Sequence, residues 1–153
     1  MIAPNGLAVA LVLAQTLAVW YTTGFVWTLQ LVDYPMAGRL RRSARAAETY
    51  MTAHNELFWR VLGPGLAVAG GSSVALLAVR PEGVPVQAAV AGVALLALIM
   101  VLSGRAATPH RARLARHYAI SVHDRLLKVS WVRTAAFTAW GAMDALLLWG
   151  LLR

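Results

Sequence analysis

Four long stretches of this chain carry almost no charge: residues 7–32, 61–79 and 83–104 have none, and 134–152 contains only Asp144. A helix crosses about 30 Å of hydrocarbon with about 20 residues, each adding about 1.5 Å, so every run is long enough to span a membrane. The predicted fold is all-α, an integral membrane four-helix bundle with spans at about 7–32, 58–79, 84–104 and 132–152 and with cytoplasmic amphipathic helical connections. Residues 1–153 read as a single four-transmembrane-helix domain, without an internal repeat or low-complexity linker. Of the residues, 59% are hydrophobic and 13% charged, whereas soluble domains run at about 45–50% and about 25%. That balance excludes both a soluble domain and a disordered chain. The first run follows Met1-Ile2-Ala3-Pro4-Asn5-Gly6, which lacks the basic region of a leader, so it reads as a retained helix.

Charge orients the bundle. Arg39, Arg41, Arg42, Arg45 and Arg60 flank the first connection, and Arg105, Arg111, Arg113, Arg116, Arg125, Lys128 and Arg133 flank the third, leaving only Arg80 and Arg153 for the other side. The positive-inside rule then puts both long connections in the cytoplasm and both termini outside, as for a multi-pass protein of a bacterial inner membrane. The net charge of +8 is a topology signal facing anionic lipid rather than nucleic acid. Arg80-Pro81-Glu82-Gly83 reads as a short outer turn, while residues 36–58 and 105–130 are long enough for a cytoplasmic helix or a helical extension of the following span.

Polar residues inside the spans are few. Gln15, Thr22, Gln30 and Asp33 fall within about 80° of one another on an ideal helix and form a stripe that should face protein, either as inter-helix glue or as a substrate path. Asp144 lies halfway along the fourth span, where an unpaired carboxylate costs several kcal/mol, so it should face the interior, within reach of Gln15. A structural and a functional role are both open to it. In the second span Gly63, Ala67 and Gly71 repeat every four residues, a spacing that lets a neighbouring helix or a flat cofactor approach the backbone. Pro64 should free the carbonyl of Arg60 and kink that helix.

All four histidines lie on the basic side: His54, His110, His117 and His123. Thr108-Pro109 reads as a helix start, and a helix from Pro109 onward would carry Leu114, Tyr118, Val122 and Leu126 on one face, with His110 and His117 along its edge. His110 and His117 stand about 10 Å apart in rise, too far to share one metal ion, so a metal or haem site would need His54. His123 points the other way, toward solvent. Tyr50, His54 and Trp59 crowd the membrane boundary, where aromatic residues are ordinary anchors. The chain has no cysteine, which removes disulfides, thiolate metal sites and covalent haem attachment. GxGxxG, P-loop and HExxH motifs are also missing.

Asp33-Tyr34-Pro35 closing helix one, Tyr50-x3-His54, Gly63-Pro64, Pro109-His110-x3-Leu114, His123-x2-Leu126 and Trp131-x-Arg133-Thr134 together resemble small four-span bacterial membrane proteins of the anthrone-oxygenase-like family. That resemblance implies a membrane bundle whose relatives include oxygenases of polycyclic phenols. A weaker similarity, through the Tyr-Pro turn and the proline-containing second helix, is to membrane protoporphyrinogen oxidases, and it implies haem as a candidate cofactor lying against Gly63 and Gly71. The expected site sits at the cytoplasmic mouth, where His54 and His110 approach each other beside Tyr34, Trp131 and Arg133. Histidine would act as base or ligand, arginine would hold a phenolate oxygen, and aromatics would stack on a flat hydrophobic small molecule. The competing reading is a non-catalytic assembly subunit or small carrier, built on the helix-one stripe and Asp144. A homo-oligomer is compatible with either.

Overall fold

The computed structural model describes residues 4–79 and 82–153. Helix α1 (Pro4–Thr28) runs through a widened π-helical turn (Leu29–Asp33) into α2 (Tyr34–Arg39) and a 3-10 turn (Leu40–Arg42). Ser43, in extended conformation, reverses the chain into α3 (Ala44–Val79). Helix α4 (Val86–Val101) passes through a second π-helical turn (Leu102–Ala107) into α5 (Thr108–Arg116). His117 and Ala119 are extended, and α6 (Ile120–Leu151) completes the fold. No strand occurs among the described residues.

Both π-helical turns sit just before a proline, Pro35 in one case and Pro109 in the other. Proline has no N–H to bond the carbonyl four residues back, and its ring crowds that carbonyl. Widening the preceding turn by one residue lets the helix run on instead of ending. Asp33-Tyr34-Pro35 therefore does not close the first helix, and Thr108-Pro109 does not start a new one. The α3 helix is also unbroken at Pro64, and the Tyr21 hydroxyl donates to the Val61 carbonyl nearby at 2.8 Å.

The expected long connections are thus helical extensions of the spans on both sides, and the reversals shrink to Ser43 and His117–Ala119. This corrects the helix expected from Pro109 onward. Tyr118 lies in the reversal, while Val122 and Leu126 belong to α6. These two reversals, with their arginines, share one end of the bundle, called here the basic end. At the opposite end Gly83 has φ +85°, a backbone conformation that favours glycine, and a Cβ there would also push the tip of the Leu151 side chain aside. Arg80 and Pro81 of the expected outer turn lie outside the described residues.

Three helical rods are long and apolar enough to cross a membrane: Gly6–Arg42, Ala44–Val79 and Val86–Arg116. The fourth, α6, is 32 residues long but falls short of that apolarity, its run being interrupted by Thr134, Thr138, Gly141 and Asp144. Helix α1 packs centrally against α3 and α6, with α4 and α5 completing the bundle. The packing is inverted relative to a soluble protein. Leu17, Val68, Leu146 and Trp149 face outward, while Gln15, Thr22, Ser73 and Asp144 are buried. An apolar sheath around a core that also takes in the polar groups is what a lipid environment selects, because polar groups find partners only inside. This is a membrane protein.

The small-residue stripe on α3 carries no helix contact among the described residues of the chain. Gly71 and Ala67 are exposed, and beside Gly63 and Gly71 lies open space within the chain. The close approach is made one face away, at Gly65, where a Cβ would come within 2.6 Å of the Tyr21 ring and 2.7 Å of the Thr22 methyl. Helix α1 lies so near α3 only because that Cβ is missing.

Candidate functional site

Two polar clusters are buried in the bundle. The first lies within the apolar segments. Gln15 Nε2 donates to Asp144 Oδ1 at 2.8 Å, and Ser73 Oγ donates to Gln15 Oε1 at 3.1 Å, so α1, α3 and α6 are tied through one amide. Asp144 is 0% exposed. The helix-one stripe therefore does face protein: Gln15, Thr22 and Gln30 are all buried. Thr22 turns its hydroxyl back to the carbonyls of Ala18 and Val19, while Gln30 Oε1 has no partner among the described residues.

The second cluster is nearer the basic end and is assembled around Phe58 of α3. The Arg111 guanidinium of α5 lies 3.5 Å from the Phe58 ring centroid, and that of Arg133 of α6 lies 5.8 Å away. The His54 ring, one turn earlier on α3, packs 5.9 Å from Phe58 and 5.9 Å from Tyr34, which follows the first π-helical turn. Arg133 Nη2 reaches the Tyr34 hydroxyl at 3.5 Å and Ser130 Oγ at 3.3 Å, and Arg111 Nη2 donates to Thr108 Oγ1 at 3.1 Å. Tyr50 Oη donates to Asp33 Oδ1 at 2.8 Å, closing the rim between α3 and the end of α1.

The electrostatics of this second cluster are unusual. Arg133 is 0% exposed and Arg111 2%, yet among the described residues neither guanidinium donates a hydrogen bond to a carboxylate. Among the described residues Arg111 Nη1, Arg133 Nε and Arg133 Nη1 are buried without a partner, as is His54 Nε2. Buried cations ordinarily have a paired anion, since desolvating an ion costs several kcal/mol. Cation–π contact with Phe58 offsets only part of that, about 2 kcal/mol when desolvated. Beside the cluster an apolar cleft of about 340 Å³ opens between α1 and α3, lined by Phe25, Leu29, Tyr50, His54, Leu57 and Phe58 among others. Neither arginine lines that cleft, and Phe58 stands between them and it; unpartnered N–H donors, an imidazole nitrogen and an adjoining apolar cleft are the parts needed to hold an oxyanion on a hydrophobic body and to move a proton to or from it.

Of the residues expected at the mouth, Tyr34, His54 and Arg133 come together here. Trp131 does not. It is 48% exposed and packs edge-on against Trp27, with ring centroids 5.6 Å apart, on the lipid-facing side. His110 is half-buried with Nδ1 unpartnered, but the groups around His54 are the rings of Tyr34, Tyr50 and Phe58 and the charges of Asp33, Arg111 and Arg133. Arg111 and Phe58 were not singled out from sequence. Ala107 and Leu114, four before and three after Arg111, share its buried face and are the signal that could have found it.

His123, expected toward solvent, is 6% exposed and shares a hydrogen bond of 2.9 Å between Nδ1 and the Tyr118 hydroxyl. Burial lowers the His123 pKa, against the opposing pull of Asp124, and burial also raises that of the Tyr118 phenol. At neutral pH the pair is therefore an uncharged imidazole and an intact phenol.

A haem held between His54 and the glycine platform does not fit these residues. Gly63 is nine positions from His54, about 180° around α3, so a porphyrin ligated by His54 could not lie on Gly63. No group of three or more histidine, aspartate or glutamate side chains arranged for a metal ion occurs among the described residues. Compared with known protein families, with curated proteins and with solved structures, the chain matches none.

Proposed function

We propose that the protein is a four-span protein of the bacterial inner membrane that binds a flat, hydrophobic anion at the cytoplasmic end of its bundle and acts on it as an oxygenase-like enzyme. The observation that carries this reading is the pair of buried guanidiniums, Arg111 and Arg133, whose free N–H groups meet no carboxylate among the described residues. A phenolate or enolate oxygen is the partner such a pair lacks. The apolar cleft beside His54 and Phe58 suits the ring body attached to it. A proton taken from a phenol, or from a carbon beside a ring carbonyl, passes to His54 Nε2, and the electron pair left behind is spread onto the oxygen held by the arginines. Oxygenation would then take dioxygen as co-substrate. This agrees with the sequence resemblance to the anthrone-oxygenase-like group.

In this reading α6 is the fourth span despite its polar interior face, since Asp144 and its neighbours turn inward while Leu146 and Trp149 turn out. The arginine-rich reversals lie in the cytoplasm and both termini outside. An assembly-subunit role is favoured by one observation only, the mutually bonded Ser73-Gln15-Asp144 chain, which already serves as inter-helix glue.

The test is binding and oxygen uptake by the purified full chain with a hydroxylated polycyclic ketone as probe. Wild-type protein should bind the probe and consume oxygen, and His54→Gln should keep binding within a few-fold while uptake falls at least a hundredfold, the scale of general-base catalysis. Absence of binding by wild-type protein would sink the proposal.

A further inference from the structure

A second basic site lies apart from the buried arginine pair, at the tip of the basic end. There a cleft of about 520 Å³ is bordered by Arg39, Arg41 and Arg42 on one side and by Tyr118, His123 and Asp124 on the other. The first-turn amides of the 32-residue α6 open beside it. No side chain caps that helix and its first turn holds no acidic residue. Val122 and His123 amides are taken by the Ala119 carbonyl, and those of Ile120 and Ser121 have no partner among the described residues. Two independent features thus favour an anion at one place, the positive end of a long helix and three guanidiniums held by the turn opposite.

His123 supplies the third feature. Its Nδ1 is occupied by the Tyr118 hydroxyl, and its ring edge, Cε1 and Nε2, faces Gly38, where a Cβ would stand 3.3 Å from Cε1 and 3.5 Å from Nε2. Nε2 has no partner among the described residues and His123 lines the cleft; in the tautomer whose Nδ1 accepts from the Tyr118 phenol, Nε2 carries the proton and can donate it to an acceptor there. Gly38 keeps that edge uncovered. Asp124 is the one carboxylate on the wall, against three arginines.

We infer that this cleft binds a phosphate group, through Arg39, Arg41, Arg42, His123 Nε2 and the amides that open α6. Two sources share this chemistry, a phospholipid headgroup with a terminal phosphate and a soluble phosphate, and the cleft's place at the membrane boundary brings it within reach of both. Neither source depends on the ligand proposed for the buried pair.

The experiment uses the full chain in phosphatidylcholine nanodiscs, with inorganic phosphate added in one arm and phosphatidate incorporated in the other. Hydrogen exchange at Ile120 and Ser121 reads the site. Protection of these amides is expected in at least one arm: phosphate alone identifies a soluble source, phosphatidate alone a lipid headgroup, and both support the shared chemistry. The Arg41→Gln/Arg42→Gln double variant, changed only at exposed positions, should weaken the protecting interaction at least tenfold. Arg125→Gln/Lys128→Gln removes the same charge from exposed positions on α6 outside the cleft and should leave it within twofold. Protection in neither arm, or equal weakening in both double variants, overturns the inference.

Discussion

The two buried polar clusters differ in how far the chain satisfies them. Around Gln15 the chain supplies most of its own partners, with one amide accepting from Ser73 and donating to Asp144, whose Oδ2 alone of the three side chains is left without one among the described residues. Around Phe58 the chain supplies cations and, among the described residues, leaves Arg111 Nη1, Arg133 Nε and Arg133 Nη1 without a partner. Both sit in an apolar bundle where an unsatisfied group costs several kcal/mol, so the first is an economical fastening between helices and the second is costly to keep. The difference separates glue from site more sharply than burial, charge or depth does, since all of these residues are equally out of reach of solvent.

The strongest way to break this comparison is to replace an arginine by an apolar side chain of similar length. Arg133→Met should weaken binding of a polycyclic phenolate by about 2–5 kcal/mol, the scale for removing one partner of a buried charge pair. Thermal unfolding in detergent should nonetheless be unchanged or improved, by up to about 1–4 kcal/mol, because a buried cation has been removed. A marked loss of stability with binding intact would make the arginine a fastening like Gln15. The mirror experiment is Asp144→Leu, which should destabilise the bundle by about 0.6–2 kcal/mol per inter-helix bond lost and leave phenolate affinity within twofold. A large loss of affinity would join the two clusters into one device.

The smallest effect concerns His123, which is satisfied on one nitrogen only. Its pKa in the folded protein lies below the ordinary 6.5 because of burial. Below pH 6.5 the unfolded chain takes up this proton first, so stability is whole above that value and declines as pH falls toward the folded-state pKa. His123→Gln should flatten the decline between wild-type unfolding curves at pH 7 and pH 5. An unchanged slope would mean that other groups produce it.

Most of the architecture is legible in the sequence, because long uncharged runs and inward-facing polar residues follow from the solvent. The site is legible only up to a register. An ideal helix advances about 100° per residue, and counting that way from the helix-one stripe puts Asp33 inside and Tyr34 at the edge. Beyond the first π-helical turn the buried residue is Tyr34, and Asp33 moves to the rim to meet Tyr50. The same one-residue slip recurs beyond Leu102–Ala107, where Arg111 goes inside and His110 stays half-buried. Nothing in the spacing of apolar residues announces a widened turn. The prolines that follow each one are the only written sign, and a proline more often marks a helix boundary.

The single-residue reversal at Ser43 bears on how such a chain enters a bilayer during synthesis. Gly6–Arg42 and Ala44–Val79 form a hairpin whose apolar limbs are joined at a tip carrying Arg39, Arg41, Arg42 and Arg45. A hairpin whose limbs touch through Gly65, Tyr21 and Thr22 gives Gln15 one of its partners, Ser73, and leaves the side of the stripe that meets α6 still to be covered. The last helix in the chain, α6, supplies the other partner, so Asp144 fastens the final element to the first through one amide.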